Sequence, residues 1–125
     1  MTWADGSPTI GRVFSQRMED LLGPARNPGE PVEQHHEDVA RSLQETLEGA
    51  YLHLVRELWE RTGIPRLCLA GGVALNAVAN GRILPETPFE DLYVQPAAGD
   101  SGTAVGAAYD VWHGVTRGSR GFVMR

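Results

Sequence analysis

The sequence has little of three things that would assign it to a class at once: cysteine, long apolar runs and positive charge. Its one cysteine, Cys68, excludes a disulfide framework, and its place in the apolar run RLCLA predicts a buried, reduced thiol. No secretory signal or apolar run near the roughly 18 residues of a membrane span occurs. The net charge of −5 disfavours sequence-independent binding to the phosphate backbone of a nucleic acid. We therefore expect a cytoplasmic protein with no membrane or nucleic-acid partner.

Glycine and proline are concentrated in residues 1–34, which predicts a linker or irregular segment. Within it, SQRMEDLLG is typical of a short helix with Ser15 as N-cap and Gly23 as its end. Residues 36–62 then predict a long helix, because apolar residues recur at spacings of three and four. Its apolar stripe comprises Val39, Leu43, Leu47, Tyr51, Leu54, Val55 and Leu58, and charged residues such as Glu48 fill much of the remaining surface.

Two strands follow, each leading through a glycine loop into a helix. RLCLA reads as a strand buried on both faces, followed by Gly71 and Gly72 and a helical segment, VALNAVANGRIL. DLYVQP reads as a second strand, followed by AAGDSG and the helical segment TAVGAAYDVWHG. Strands that alternate with helices favour an α/β fold with a mostly parallel sheet. Two strands are too few for a stable sheet, so either the first 30 residues add strands or the chain is part of something larger.

The first glycine loop can be interpreted in two ways. Glycines between a strand and a helix let a ligand approach the free amides at the start of the helix. Gly71 and Gly72 would leave that room, and Asn76 lies one turn further on, where its amide could face the ligand. The loop matches neither GxxxxGK[ST] nor GxGxxG, however. A tight turn with glycines for packing therefore remains an equal alternative.

The second glycine loop carries a carboxylate. Asp100 lies between Gly99 and Gly102, at the end of the sheet where ligands bind in open α/β folds. It could ligate a divalent metal, or it could cap the helix that begins near Ser101. His35 and His36 favour a surface helix start over a metal site, because adjacent residues on a helix do not face each other.

CLAGGVALNAVANGRIL followed by PFEDLYVQPAAGDSGTAVGAA closely resembles the bacterial O-carbamoyltransferases of antibiotic and nodulation-factor biosynthesis, the NodU/CmcH type. The resemblance extends upstream and covers residues 14–112. It implies transfer of a carbamoyl group from carbamoyl phosphate to a hydroxyl, through a carbamoyl-adenylate made with ATP. It also implies half of an actin/hexokinase-like, ribonuclease H-like ATPase core, shared more loosely with the TsaD-type enzymes of threonylcarbamoyl-adenosine tRNA modification.

The resemblance also implies roles for single residues. Gly71, Gly72, Val73 and Asn76 would lie at the nucleotide, with Gly99 in the neighbouring loop, and Asp100 would be a ligand of a divalent metal, iron or else manganese or magnesium. The two histidines that complete this metal site in the family form an HxxxH motif, which this sequence lacks. No residue here is identified as catalytic.

The resemblance implies a fragment, with residues 35–114 as the second half of the ATP-binding core and residues 115–125 as a truncated tail. We expect the isolated chain to be inactive outside a complete enzyme. Its expected protein partner is the missing half of the enzyme or a second copy of the chain in a homodimer. Two alternatives remain open: a relative of the tRNA-modifying enzymes, and a non-catalytic remnant that binds a partner through exposed apolar surface.

Overall fold

The computed structural model describes residues 2–9 and 11–121 of the chain. Its contacts divide into two compact units, Met1–Gln44 and Glu45–Arg125, and the division falls inside the longest helix. Across the described part of the chain, no helix combines the length and the apolarity needed to cross a membrane. Part of the tail predicted at 115–125 lies outside the described residues, which end at Gly121.

The first unit begins with a hairpin that was not among the predicted elements. Strand β1, Thr2–Ala4, pairs antiparallel with β2, Ser7–Thr9. Asp5 and Gly6 join them with φ angles of 51° and 77°, the left-handed conformation that two-residue hairpin turns require. The Asp-Gly pair is a known hairpin signal, but strands of three residues have too little pattern to be recognised as strands.

Two helices begin in this unit, and both were predicted. Helix α1 spans Gln16–Leu22, with Ser15 in the N-cap position and Gly23 ending it at a φ of 86°. Helix α2 spans Gln34–Thr62, two residues longer than predicted at its start. It ends at Gly63, whose φ of 61° leaves the helical range and whose amide donates to the Trp59 carbonyl at 2.8 Å.

The second unit contains the predicted parallel strands. Strand β3, Arg66–Leu69, pairs with β4, Asp91–Val94, in a parallel register that starts at Arg66 opposite Asp91. After β4 come helix α5, Gly102–Tyr109, and a π-helical segment, Asp110–Val115, which together fill the predicted final helix. The α/β class is therefore confirmed, with a sheet of two parallel strands in this unit.

The helix predicted over VALNAVANGRIL is wrong as one continuous element. The segment forms a 3₁₀ turn, Gly72–Leu75, helix α3, Ala77–Gly81, and helix α4, Ile83–Glu86. The first break occurs at Asn76, whose ψ of 90° is not helical and whose side chain caps α3. Helix α4 contains Pro85, which is tolerated because the first turn of a helix needs no amide there.

A small apolar core joins α2 to the strands and to α4. Its buried members are Leu52, Val55, Leu67, Ile83 and Phe89. Trp59 packs edge-on against Phe89, with ring centroids 5.3 Å apart. The core therefore lies on the α2 side of the sheet.

The burial of Cys68 and of both faces of β3 was predicted wrongly. Cys68 is exposed, whereas its neighbour Leu67 is buried in the core. Successive side chains of a strand point to opposite faces, and the apolar core covers the face that carries Leu67. A continuous apolar run does not reveal which of its faces is covered.

The position of the core predicts that two adjacent residues of α4 contribute differently to stability. Ile83 is 0% exposed and Leu84 is 43% exposed. We expect Ile83→Ala to lower the free energy of unfolding by about 2–5 kcal/mol, because it leaves a cavity, and Leu84→Ala to lower it by less than half as much. Urea denaturation followed by circular dichroism measures both changes. Equal losses in the two variants would contradict this description of the core.

Candidate functional site

The two glycine loops meet at one end of the parallel strands. Because the strands are parallel and in register, their carboxyl ends lie side by side, and the Gln95 amide continues the pairing by donating to the Leu69 carbonyl at 3.1 Å. Beyond the strands, the Gly71 amide donates to the Ala98 carbonyl at 2.7 Å. Both glycine loops therefore lie at the same end of the sheet, the end at which Asp100 was predicted.

The backbone requires a glycine at Gly71 but not at Gly72. Gly71 has a φ of 101° and a ψ of 162°, a backbone conformation that is essentially restricted to glycine. Gly72 has no positive φ, and a Cβ built on it would meet no atom within 4 Å. Neither its backbone nor its packing within the described chain requires glycine.

The start of the 3₁₀ turn presents free hydrogen-bond donors. The amides of Gly72 and Val73 donate to no acceptor among the described residues, as expected for the first residues of a helical turn. Gly72 and the Val73 side chain are exposed. These amides have the polarity that an anionic ligand group would need.

Asn76 has a local structural role. Its side-chain oxygen accepts a hydrogen bond from the Ala79 amide at 3.0 Å and so caps α3. A contact between Asn76 and a nucleotide stays a prediction, and it would have to leave this cap intact.

The Asp100 carboxylate does not cap α5. Ser101 occupies the N-cap position without a side-chain cap bond. The Thr103 amide and hydroxyl both donate to the Asp100 backbone carbonyl, at 3.1 Å and 2.6 Å. The Asp100 side chain is exposed and accepts no hydrogen bond from the described residues. Of the two roles considered for this side chain, capping is therefore not realised.

The described residues do not complete a metal site. Nowhere in residues 2–9 and 11–121 do three or more His, Cys, Asp or Glu side chains gather closely enough to hold an ion. His36 accepts a hydrogen bond from the Glu33 amide at 2.9 Å, and His35 contacts the Leu22 carbonyl at the end of α1, so both rings have local partners in the first unit. Asp100 would be a single ligand, and the other donors would have to come from outside this set.

The second loop is shaped by Gly102. A Cβ on Gly102 would lie 2.4 Å from the Ala97 carbonyl oxygen, so the close approach of the two backbones requires glycine. A Cβ on Gly99 would make only ordinary contact, 3.6 Å from Leu75. An open groove of about 400 Å³ runs along this loop and α5, and its lining includes Ala70, Gln95, Gly99, Thr103, Gly106 and Tyr109.

Sequence reasoning missed two polar residues that support the first loop, Tyr51 on α2 and Asn80 on α3. The Asn80 side-chain amide donates to the Ala74 carbonyl at 2.7 Å and accepts from the Tyr51 hydroxyl at 3.0 Å. Burial of Tyr51 raises the pKa of its hydroxyl. Tyr51 precedes Asn80 by 29 residues, and no local pattern in the sequence signals such a pairing.

An ion-pair network supports the same region. Arg82 contacts the buried carboxylate of Glu48, and it holds Glu86 through two hydrogen bonds, of which Nη2 to Oε2 is 3.0 Å. The hydrogen bonds from Arg82 lower the pKa of Glu86, and those to Glu86 and Glu48 raise the pKa of Arg82. Arg56 adds hydrogen bonds to the Glu86 carbonyl at 3.3 Å and 3.2 Å.

Comparison with known families matches residues 9–109 to the model described as the carbamoyltransferase N-terminus. This match includes both glycine loops and the network behind them. The chain belongs to the carbamoyltransferase family. This match confirms the family predicted from the sequence motifs.

Three relatives of this carbamoyltransferase chain are much longer than the chain itself. Nodulation protein NolO of Bradyrhizobium diazoefficiens is 49% identical over 71% of the chain and 18% of its own length. Nodulation protein NolNO of Sinorhizobium fredii is 48% identical over 71% of the chain and 14% of its own length. An uncharacterized protein of Synechocystis is 48% identical over 81% of the chain and 17% of its own length. The chain thus spans less than a fifth of each.

The lowered pKa of Glu86 predicts how stability depends on pH. A carboxyl group whose pKa is lower in the folded state than the ordinary 4.5 stabilises the fold above that value. This contribution is lost as the pH falls through the folded-state pKa. We expect the thermal midpoint to fall as the pH is lowered below 4.5, and to fall less steeply in Glu86→Gln.

The control for this measurement is Glu60→Gln, because Glu60 is an exposed carboxylate of α2. Calorimetric scans of the three proteins between about pH 6 and pH 3 provide the comparison. An unchanged acid slope in Glu86→Gln would show that its bond to Arg82 adds no stability.

Proposed function

We propose that this carbamoyltransferase chain forms part of an ATP- and metal-dependent site that transfers a carbamoyl group from carbamoyl phosphate, through a carbamoyl-adenylate, to the hydroxyl of a small molecule. One observation carries the proposal: the Gly71–Ala98 hydrogen bond joins two glycine loops at the carboxyl ends of parallel strands, within the matched residues. Ligands of open α/β sheets bind in that position. We further propose that the unit is half of an actin/hexokinase-like core.

The first loop is proposed to hold the phosphate or ribose of the adenylate. The free amides of Gly72 and Val73 can donate to phosphate oxygens, and the open space at Gly72 lets a ligand reach the backbone. Gly99 lies in the adjoining loop, where the groove along α5 offers room for more of the nucleotide. The described residues offer no candidate for the catalytic step, which supports pairing with further carbamoyltransferase sequence or with a second copy.

Asp100 is proposed as one ligand of a divalent metal, iron, manganese or magnesium. Its carboxylate is exposed and is not used as a helix cap, so its oxygens are available to an ion. A bound metal would polarise the transferring carbamoyl group. Since the described residues supply no further ligands around it, the remaining donors are assigned to the complementary part of the enzyme.

The acceptor is proposed to be a small molecule, such as an antibiotic or a nodulation factor. Two similar proteins are nodulation proteins by name, which supports the second possibility. The net charge of −5 disfavours tRNA, the substrate of the more loosely similar TsaD-type enzymes.

Calorimetric titration of the chain with ATP, with and without Mn²⁺ or Fe²⁺, tests the metal ligand. We expect metal to strengthen ATP binding and Asp100→Ala to weaken metal-dependent binding at least about tenfold, a loss of about 1.4 kcal/mol. Asp110→Ala, which removes another exposed aspartate, is the matched control and should bind as the original chain does. Equal affinity in both variants would contradict the role of Asp100. No ATP binding by the folded chain would favour a scaffold that needs its complementary half.

The same titration tests the first glycine loop through Gly72→Ala. The substitution should change the free energy of unfolding by less than about 0.5 kcal/mol, since the new Cβ meets nothing. It should weaken ATP binding at least about tenfold, because the methyl group would occupy space that the ligand needs. Gly81→Ala on α3 also meets open space and is the control. Unchanged affinity in Gly72→Ala would place the nucleotide elsewhere.

A further inference from the structure

We propose that Tyr51 and Asn80 are positioning residues that hold the Gly71–Leu75 turn in the shape that its ligand meets. The identity of the ligand rests on the proposed function. The geometry of the turn and its supports is taken from the contacts of this chain alone. Both side chains lie behind the turn, in the second unit, and neither belongs to the glycine loops. Asn80 is on α3 and Tyr51 is on α2.

The side-chain amide of Asn80 is used at both ends. Its Nδ2 lies 2.7 Å from the Ala74 carbonyl oxygen, and its Oδ1 lies 3.0 Å from the Tyr51 hydroxyl. A carbonyl can only accept, so the nitrogen must face Ala74, and the oxygen is left to accept from Tyr51. Both bonds are partly buried, which makes each of them costly to leave unmade.

From Ala74 the hydrogen bonds continue into both glycine loops. The Ala74 amide donates to the Gly71 carbonyl at 3.0 Å, and the Gly71 amide donates to the Ala98 carbonyl at 2.7 Å. A continuous path therefore runs from Tyr51 through Asn80, Ala74 and Gly71 to Ala98. Each step is a direct contact between two named groups.

Packing offers the turn little other support. A Cβ on Gly71 or Gly72 would meet no atom within 4 Å, and Val73 and Leu75 are exposed. Ala74 is the one residue of the turn that is buried, at 3% exposure, and its carbonyl is the one that accepts the hydrogen bond from Asn80. A turn of this kind keeps its shape through hydrogen bonds, and a ligand would otherwise have to bear the entropy cost of ordering it.

Amide hydrogen exchange by NMR tests whether the pair holds the turn. In Tyr51→Phe and in Asn80→Ala, we expect the Gly71 and Ala74 amides to exchange about three- to tenfold faster, the range expected for losing one net hydrogen bond. The Gly63 and Glu90 amides, which bond to the Trp59 and Pro65 carbonyls away from the turn, should stay within about twofold. Tyr51→Phe keeps the ring in place, so the test stands even if Asn80→Ala fails to fold.

The matched control is Thr87→Val. Thr87 makes a partly buried side-chain hydrogen bond of 2.7 Å to the Ile83 carbonyl, in the same unit but outside the path to the turn. It should leave the exchange of Gly71 and Ala74 unchanged. A uniform acceleration of all amides in Tyr51→Phe, or none at the turn, would overturn the proposal.

Titration with ATP in the presence of Mn²⁺ then separates this inference from the proposed function. If the original chain binds ATP, Tyr51→Phe should weaken binding by the factor by which it accelerates exchange at the turn. Equal binding by both, with exchange accelerated, would show that the turn does not contact the nucleotide and would overturn the positioning role. If the folded original chain binds no ATP, the proposed nucleotide site fails, and exchange alone decides whether the pair holds the turn.

Discussion

The second unit depends on a buried carboxylate that must be paired. Glu48 is 7% exposed, and a carboxylate removed from water is strongly destabilising unless a cation and hydrogen bonds compensate it. Arg82 supplies both, and it does so from the junction where α3 ends and α4 begins. This pair therefore fixes that junction against α2, and it places the next residue, Ile83, in the core.

Glu48 and Tyr51 lie one turn apart on α2, so two polar contacts leave the same face of the helix. Glu48 reaches Arg82 and Tyr51 reaches Asn80, which together secure the segment that carries the first glycine loop. The apolar core continues along this face through Leu52 and Val55. This face of α2 combines polar residues with apolar core residues, so α2 can pack against its neighbours in only one register. Sliding the helix along its axis would bury Glu48 without Arg82.

Periodicity predicted α2 and its end correctly, but it could not separate the two sides of the helix. Glu48 was expected on the solvent face and is buried, whereas Leu43 and Leu54 were expected in the stripe and are exposed. The reason is that burial depends on what packs against each side. The same limit explains Cys68, which lies on the face of β3 that the core does not cover. The two strands and their glycine loops were predictable because the sequence signals each of them locally, and the alternation of strands with helices favours parallel pairing.

The glycines of the two loops have different physical causes, and these causes decide which of them can point to a ligand. Gly71 is required by its backbone angles, and Gly102 is required by the Ala97 carbonyl against which it packs. Both would be glycines even if nothing bound here. Gly72 has neither requirement, since its φ is ordinary and the space beside it is open. A ligand that approaches the backbone would supply the missing requirement, so Gly72 is the position in the first loop at which the proposed ligand contact is best tested.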